Sequence, residues 1–332
     1  MKVLCYGIQE AEKPIFEQNN KNYNFKLSFT NELLNDENVN KVKGYDALIL
    51  FVNCDASADN LKKIKELGIK YIVTRTAGFN HIDLKTAKEL NYVIGRVPGY
   101  SPTAIASLAF NGGLSLLRRT SYIYEQTRQG NFKIDSNMFA KETKNCTIGI
   151  LGTGKIGYET AKMWKALDAT IIAYDPYPNE AAKSFLSYTT FDEVIAKSDL
   201  ISIHMPYFKG KNDDVINDEV IKKMKKGTIL VNAARSELVS LPAVIKAIKA
   251  NHLEGYATDV FPHESEIINH DFKDKFPSNL KLIEELIALY PKTLISPHVA
   301  YFTDEAIKNM SEISFENLKQ LQTTGTCDNR ID

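Results

Sequence analysis

Short apolar runs alternate with amphipathic segments over the first hundred residues of the chain. Apolar runs of strand length cover residues 2–6, 25–29, 47–52, 71–74 and 92–94. Apolar residues at helical spacing separate several of these runs, as in 60–67 and 84–90. Such alternation is typical of a parallel sheet, because a helix carries the chain from one parallel strand to the next.

A second alternation begins at residue 146. Its predicted strands cover residues 146–151, 169–174, 200–203, 228–231, 255–258 and 293–295. Two prolines and a glycine in 97–102 break the chain between the two alternations. A long helix is predicted over 103–129, and an amphipathic helix over 303–322. We therefore expect two α/β domains with parallel sheets, the last helix packing back on the first of them.

The segment 146–175 carries the most specific motif. An apolar run leads into Gly152-Thr153-Gly154-Lys155-Ile156-Gly157, and a helical segment and a second apolar run ending in Asp175 follow. This order of strand, glycine turn, helix, strand and acidic residue is typical of a dinucleotide-binding site. In such a site the pyrophosphate lies at the N-terminus of the helix. Asp175 would accept hydrogen bonds from the ribose hydroxyls and repel a 2′-phosphate, which favours NAD over NADP. An ordinary glycine-rich β–α turn is the alternative.

The amino-acid composition indicates which kinds of partner the chain is poorly equipped to bind. The chain has 332 residues, 44% of them apolar and 25% charged, and 41 Lys and Arg balance 41 Asp and Glu. A protein without a net positive charge is poorly suited to holding nucleic acid. The apolar runs are too short to span a bilayer, and the four cysteines have neither disulfide-framework nor metal-ligand spacing. These features predict a soluble cytoplasmic protein.

Three polar side chains follow predicted strands of the second alternation. Arg235 comes after the run at 228–231, Glu264 after 255–258 and His298 after 293–295. Ligands of open parallel sheets bind beyond the carboxyl ends of the strands. The three side chains are therefore expected at the edge where the dinucleotide would lie.

Seven segments, in the same order, resemble the NAD-dependent D-2-hydroxyacid dehydrogenases, in particular the D-lactate and D-2-hydroxyisocaproate dehydrogenase branch. The matching segments are 77–83, 100–106, 152–157, 203–206, 232–235, 259–264 and 296–300. The resemblance implies two doubly wound domains: a Rossmann NAD-binding domain over 102–298, and a smaller flavodoxin-like substrate domain over 1–101 plus 299–332. It also implies a homodimer joined through the nucleotide domains, with the long helix that begins at Thr103 as the contact.

The resemblance implies that the chain reversibly reduces a 2-oxoacid to the (R)-2-hydroxyacid with NADH. Arg235 would bind the substrate carboxylate, for which a planar guanidinium is well shaped. His298 would exchange the proton with the carbonyl oxygen. Glu264 would stabilise the charged imidazole.

The remaining implied site residues divide between the two domains. Backbone N–H groups near Gly78 and Phe79 would contact the carboxylate, and Tyr100 and Tyr301 would line the pocket for the substrate side chain. The implied cofactor residues are Gly152, Gly154, Lys155, Ile156, Gly157, Asp175, His204, Pro206 and Asp259. Pyruvate, 2-oxoisocaproate and phenylpyruvate all satisfy the motifs.

Two alternatives stay open at this point. A non-enzymatic NAD(H)-sensing scaffold of the same fold could keep the Arg, Glu and His set. His263, Glu264, Glu266 and His270 could together suggest a metal site, but their spacing matches no common metal-binding helix motif, so no metal is expected.

Overall fold

The computed structural model describes residues 1–273 and 275–331. The chain divides into two compact units: Met1–Ser101 together with the chain from Tyr301 onward, and Pro102–Ala300. Asp274 lies outside the described residues, and so does Asp332, the last residue of the predicted substrate domain.

The first unit is built on a six-stranded sheet. Its strands are β1 (Lys2–Cys5), β2 (Lys26–Phe29), β3 (Ala47–Leu50), β4 (Tyr71–Thr74) and β5 (Ile94–Arg96), with β13 (Arg330–Ile331) near the C-terminus. Its helices are α1 (Lys13–Asn20), α2 (Ala58–Glu66), α3 (Leu84–Glu89) and α12 (Asp304–Thr324). The strand order is β13-β5-β4-β3-β1-β2, in which β1 to β5 are parallel and β13 pairs antiparallel with β5.

The last helix, α12, belongs to the core of the first unit, as predicted for the amphipathic tail. Phe315 is fully buried, and its ring centroid lies 5.7 Å from that of Phe16 in α1. Thr303 caps the helix by accepting a hydrogen bond from the Ala306 N–H, and Gly325 ends it with φ of 77°. The chain after the second unit thus completes the first.

A buried ion pair also lies inside the first unit. Arg75 Nη1 is 2.6 Å from Glu12 Oε1, and neither side chain is exposed. The guanidinium also donates to the Gly7 carbonyl and lies 3.9 Å from the Phe51 ring centroid. Such a pair needs hydrogen bonds of this kind to offset the loss of its hydration.

The second unit is built on a seven-stranded parallel sheet. Its strands are β6 (Thr147–Leu151), β7 (Thr170–Tyr174), β8 (Ser187–Tyr188), β9 (Leu200–Ile203), β10 (Thr228–Asn232), β11 (Leu253–Thr258) and β12 (Thr293–Ile295). Its helices are α4 (Pro102–Leu117), α5 (Thr120–Arg128), α6 (Lys155–Lys165), α7 (Phe191–Lys197), α8 (Asp218–Lys223), α9 (Leu241–Lys249), α10 (Glu264–Ile267) and α11 (Lys281–Ile287).

The strand order β12-β11-β10-β9-β6-β7-β8 reverses direction at β6. Successive strands run outward from β6 to β8 on one side, and from β9 to β12 on the other. A crevice for a ligand opens where the order reverses, at the carboxyl ends of the strands. The two sheets confirm the predicted fold class of two parallel-sheet α/β domains.

The predicted single helix over 103–129 is wrong. The chain forms α4 and α5 instead, and they are separated at Arg119, whose φ of 56° is left-handed. Helical periodicity continues across the break, but a left-handed residue redirects the axis of the second helix. The predicted strand at 92–94 also lies slightly later in the chain, at Ile94–Arg96.

No helix in residues 1–273 or 275–331 combines the length and apolar character needed to cross a membrane.

Candidate active site

The glycine turn between β6 and α6 has the close contacts that its motif predicts. Gly152 has φ of 93°, and a Cβ there would lie 2.8 Å from the backbone of His204. A Cβ on Gly157 would lie 1.9 Å from the Gly152 carbonyl oxygen. No atom of the described residues lies within 4 Å of a Cβ built on Gly154, the residue before the first helical turn. The turn is therefore closed on its protein side and open at the helix N-terminus.

This geometry fits a dinucleotide. Lys155 and Ile156 begin α6, so their backbone N–H groups belong to the set that has no partner inside the helix. These donors and the helix dipole attract an anion. The residues present in the turn can therefore hold a pyrophosphate.

Asp175 follows β7, beside the glycine turn. Its Oδ2 accepts hydrogen bonds from the Thr153 backbone N–H at 2.6 Å and from the Thr153 hydroxyl at 3.0 Å, and its Oδ1 accepts from the Tyr177 N–H at 2.8 Å. The Tyr188 hydroxyl donates to Thr153 Oγ1 at 2.8 Å. The carboxylate is held by neutral donors, and its remaining lone pairs can accept from ribose hydroxyls.

His204 follows β9 on the other side of the crevice. Its Nε2 lies 2.8 Å from the Ser202 hydroxyl, while its Nδ1 is buried without a hydrogen-bond partner among the described residues. Burial lowers the pKa of His204 to about 4, so its imidazole is neutral at physiological pH. Pro206, two residues later, accepts a hydrogen bond from the Asn212 amide through its carbonyl.

The strands β10, β11 and β12 are neighbours, and Arg235, Glu264 and His298 lie in the segments that follow them. Because parallel strands end at one edge of the sheet, the three predicted catalytic residues share the edge with the glycine turn. Arg235 is half-buried and donates to the Ala234 carbonyl at 2.7 Å. No carboxylate in the described part of the chain forms a salt bridge with it, so its charge is available to a ligand.

His298 and Glu264 form the pair that the sequence predicts. His298 Nδ1 lies 2.7 Å from Glu264 Oε2, and the two side chains are 20% and 12% exposed. Glu264 is the first residue of α10, and its Oε1 accepts a hydrogen bond from the Phe261 N–H at 3.2 Å. Since Nδ1 is engaged by the carboxylate, Nε2 is the nitrogen that remains to exchange a proton with a substrate.

Asp259 anchors the segment that carries His298. Its Oδ1 accepts from the Ser296 hydroxyl at 2.6 Å and the Val299 N–H at 2.9 Å, and its Oδ2 accepts from the Ala300 N–H at 2.8 Å. Burial raises the pKa of this carboxyl, although the three donors oppose the rise. His298 itself has φ of 53°, a left-handed conformation that costs energy in a residue with a side chain. The Asp259 carboxylate stabilises this conformation because it accepts hydrogen bonds from residues on both sides of His298 in the chain.

The predicted substrate-pocket residues all lie in the first unit. Gly78 and Phe79 are in the segment between β4 and α3, and Tyr100 follows β5. Tyr301 begins the return of the chain to this unit, and it is 8% exposed. The structure therefore assigns these four residues to one unit, and Arg235, Glu264 and His298 to the other.

Sequence reasoning missed several residues that touch this set. Phe51 lies against Tyr301, with ring centroids 5.0 Å apart, and Thr153 and Ser296 hold the carboxylates described above. Phe51 was hidden because it lies inside the apolar run 47–52 and has no polar group to mark it. Thr153 lies inside the glycine motif 152–157, and Ser296 begins the matching segment 296–300. The hydroxyl group of each was the signal that could have identified it as a hydrogen-bond donor.

The suggested metal cluster does not assemble in the described residues, where no group of three or more His, Cys, Asp and Glu side chains could hold an ion. His263 Nδ1 pairs with Glu266 Oε1 at 2.8 Å, and Glu264 faces His298 instead.

Comparison with known proteins gives consistent matches along the chain. The family model described as D-isomer specific 2-hydroxyacid dehydrogenase, NAD binding domain, matches residues 112–300. An aromatic 2-oxoacid reductase of Clostridium sporogenes is 34% identical over 335 residues, which cover 99% of each chain.

Two solved structures are similar over almost their whole length. The apo-structure of D-lactate dehydrogenase from Escherichia coli aligns with a TM-score of 0.89 and 32% identity, covering 100% of both chains. The structure of D-2-hydroxyisocaproate dehydrogenase aligns with a TM-score of 0.85 and 31% identity, covering 100% of this chain and 99% of that one.

These matches confirm the predicted use of NAD and the predicted reaction class, an oxidoreductase that interconverts 2-oxoacids and 2-hydroxyacids. They also resolve the choice between enzyme and non-enzymatic scaffold in favour of the enzyme. The chain belongs to the D-isomer specific 2-hydroxyacid dehydrogenase family.

Proposed function

We propose that this chain reduces a 2-oxoacid to the (R)-2-hydroxyacid with His298 as the acid/base, Glu264 as its partner and Arg235 as the carboxylate ligand. The observation that carries the proposal is the 2.7 Å contact of His298 Nδ1 with Glu264 Oε2. The same sheet edge bears the Arg235 guanidinium, which forms no salt bridge with any carboxylate of the described residues. NADH, when bound, supplies the hydride to C2 of the oxoacid. The residues of the chain supply charge, orientation and the proton.

Arg235 would bind the carboxylate of the oxoacid. Its guanidinium can form two parallel hydrogen bonds to a carboxylate, which orients the 2-oxo group as well as binding it. His298 Nε2 would then give its proton to the carbonyl oxygen as the hydride arrives. Glu264 would stabilise the imidazolium before transfer and keep the ring oriented afterwards.

Replacing Arg235 by Lys tests the carboxylate role. Lys keeps the positive charge but cannot form the paired hydrogen bonds, so kcat/KM for the oxoacid is expected to fall by about 10- to 100-fold. Both a higher KM and a lower kcat should contribute. Steady-state kinetics measures the change, and NADH affinity by fluorescence titration is the control. The role is contradicted if KM and kcat both stay at the wild-type values.

The cofactor would bind across the crevice next to the glycine turn. The N–H groups of α6 would hold the pyrophosphate, and Asp175 would accept from the adenosine ribose. Neutral His204, together with Pro206, would flank the cofactor without adding charge beside it. Asp259 would lie close to the nicotinamide carboxamide while holding the His298 segment.

The substrate would also contact the first unit. We propose that N–H groups of Gly78 and Phe79 donate to its carboxylate, and that Tyr100 and Tyr301 line the pocket for its side chain. Phe51, which packs against Tyr301, would form part of the same aromatic wall.

The preferred oxoacid depends on which substrate side chain fits against the aromatic wall of Tyr100, Tyr301 and Phe51. Relatives of this chain include a D-lactate dehydrogenase, a D-2-hydroxyisocaproate dehydrogenase and an aromatic 2-oxoacid reductase. We propose a substrate of the D-lactate or branched-chain type. The values of kcat/KM for pyruvate, 2-oxoisocaproate and phenylpyruvate rank the three, and a preference for phenylpyruvate would overturn this choice.

We further propose that the chain acts in the cytoplasm as a homodimer joined through the second unit. Helix α4, the contact expected from the sequence, packs largely on its own unit, with Phe110 and Trp164 ring centroids 4.7 Å apart. The segment after it exposes four large apolar side chains, which a partner subunit would cover. These side chains are Tyr124, Phe132, Ile134 and Phe139. Light scattering of the protein in solution measures the mass directly.

A further inference from the structure

The segment Ala77–Gly78–Phe79 of the first unit is held by side chains in an unusual way. Arg96 Nη1 donates to the Ala77 carbonyl at 2.8 Å, and the Thr76 hydroxyl donates to the Gly78 carbonyl at 2.6 Å. Within the described residues, neither the Gly78 N–H nor the Phe79 N–H donates a hydrogen bond. Two consecutive peptide groups thus have occupied carbonyls and free N–H groups.

The two occupied carbonyls belong to the same peptide groups as the two free donors. The Ala77 carbonyl shares a peptide group with the Gly78 N–H, and the Gly78 carbonyl shares one with the Phe79 N–H. A peptide group is planar, so holding its oxygen also fixes the direction of its N–H. Donation to the oxygen polarises the group, and its N–H becomes a stronger donor.

Arg96 itself is held in place. Its carbonyl accepts from the Asn317 amide at 2.8 Å, and its N–H donates to the Asn329 carbonyl at 3.0 Å. Its guanidinium lies 5.4 Å from the centroid of the Phe79 ring, so one side chain holds both a carbonyl and an aromatic ring of the segment.

Thr76 ends a chain of hydrogen bonds. Its Oγ1 lies 2.6 Å from Thr74 Oγ1, which lies 3.2 Å from His81 Nε2. Since Thr76 gives its proton to the Gly78 carbonyl, Thr74 donates to Thr76 rather than to the more distant Leu50 carbonyl at 3.5 Å. Thr74 then accepts from His81 in the tautomer that carries the proton on Nε2. Bonds that run in one direction strengthen each other, and this chain ends on the peptide group of the Phe79 N–H.

We propose that Arg96 and Thr76 are positioning residues for substrate binding: each fixes and polarises one of the two N–H groups that receive the oxoacid carboxylate. Neither touches the substrate. The inference rests on the proposed function, because it assumes that the carboxylate binds at Gly78 and Phe79. It adds that the strength of these two donors is set by a side chain on β5 and by one two residues after the end of β4.

Thr76→Val and Arg96→Gln test the two positioning roles. Each variant is expected to raise KM for the oxoacid and Ki for oxamate, a carboxylate-bearing analogue of pyruvate, by about 2- to 10-fold. The Kd for NADH should not change, because the cofactor binds the other unit. Thr76→Ser keeps the hydroxyl and should restore the wild-type KM and Ki.

Thr228→Val is the matched control. Like Thr76, Thr228 is buried and donates to a backbone carbonyl, that of Ser198 at 3.2 Å, but it lies at the start of β10. Loss of the Thr228 hydroxyl should leave KM for the oxoacid and Ki for oxamate unchanged. The inference is overturned if folded Thr76→Val and Arg96→Gln keep the wild-type KM and Ki, or if Thr76→Ser is as impaired as Thr76→Val.

The proposed function is tested separately by the wild-type chain. If wild type reduces none of the three oxoacids, the proposed function fails. If wild type reduces them and the variants bind oxoacid and oxamate normally, only the positioning roles fail.

Discussion

Two contacts of nearly equal length between a basic and an acidic side chain lie in different surroundings, one in each unit. Arg75 and Glu12 are 2.6 Å apart and have no exposed surface, whereas His298 and Glu264 are 2.7 Å apart and 20% and 12% exposed. Arg75 contacts only protein, and its charge cannot be titrated at physiological pH. An imidazole is a side chain suited to proton transfer, and part of the surface of His298 can meet a ligand. Burial and the choice of cation, rather than distance, separate a structural pair from a chemical one.

The carboxylates of the two pairs, Glu12 and Glu264, also differ in their surroundings: the first lies in a core and the second at a sheet edge. Glu12 accepts from Arg75 and from the Gln9 N–H inside the first core, while Glu264 stands at the beginning of a short helix beyond a strand end. Breaking the first pair should therefore change folding, and breaking the second should change catalysis. Substitutions in the two pairs test this difference, and a substitution of His204 adds a histidine outside both pairs.

The largest effect is expected for His298→Asn. Loss of a general acid lowers kcat by about 10²- to 10⁴-fold. The melting temperature should change little, because His298 lies at a partly exposed sheet edge. Steady-state kinetics and thermal unfolding measure the two quantities, and a stable variant with wild-type kcat would remove His298 from the reaction.

Arg75→Met should act on stability instead. It leaves the Glu12 carboxylate buried without its partner, which costs about 3–5 kcal/mol of unfolding free energy. Turnover per folded molecule should be retained at low temperature. Urea denaturation gives the free energy, and Arg75→Met combined with Glu12→Leu should recover part of the loss because no buried charge then remains. Equal stability of wild type and the single variant would contradict a structural role for the pair.

Glu264→Gln should move the pH profile of oxoacid reduction. Without the anionic partner, the protonated imidazole is less stable, so the proton needed for reduction is lost at lower pH. The alkaline limb of the kcat/KM profile should therefore move to lower pH. A superimposable profile would show that the carboxylate does not stabilise the charged imidazole.

His204→Asn extends the comparison to a histidine for which residues 1–273 and 275–331 provide no charged partner. Burial lowers its pKa to about 4 in the folded chain, while the unfolded chain takes up the proton near pH 6.5. Stability from this group is complete above pH 6.5 and is lost as the pH falls towards 4. At pH 4.5 the variant should have lost about 2 kcal/mol less than wild type, relative to pH 7. Urea midpoints at both pH values check this, and parallel losses would refute it.

The sequence was most informative where a short apolar run ends in a chemically distinctive residue. The strands β4, β9 and β12 have the predicted bounds, and the residues after β6, β7, β10 and β12 supplied most of the site. Apolar periodicity marks a buried strand, and polar residues directly after it mark the edge of the sheet. These are local signals.

Long-range contacts were not readable. The carboxylate of Asp259 holds backbone groups about 40 positions later in the chain, and nothing in the local pattern of Asp259 indicates these partners. The break at Arg119 was missed for a different reason, because a left-handed conformation at a residue other than glycine leaves no trace in apolar periodicity. The strand β8 has two residues and is too short for a periodic signal.

The three glycines of the turn should differ sharply in mutational tolerance. A library screened for folding alone would keep glycine at position 157, where a single methyl group would overlap the Gly152 carbonyl. It would accept small side chains at 154, where the added atom meets open space. Screened on immobilised nicotinamide dinucleotide, the same library would lose those variants as well. The difference between the two screens would separate residues that form the turn from residues that leave room for its ligand.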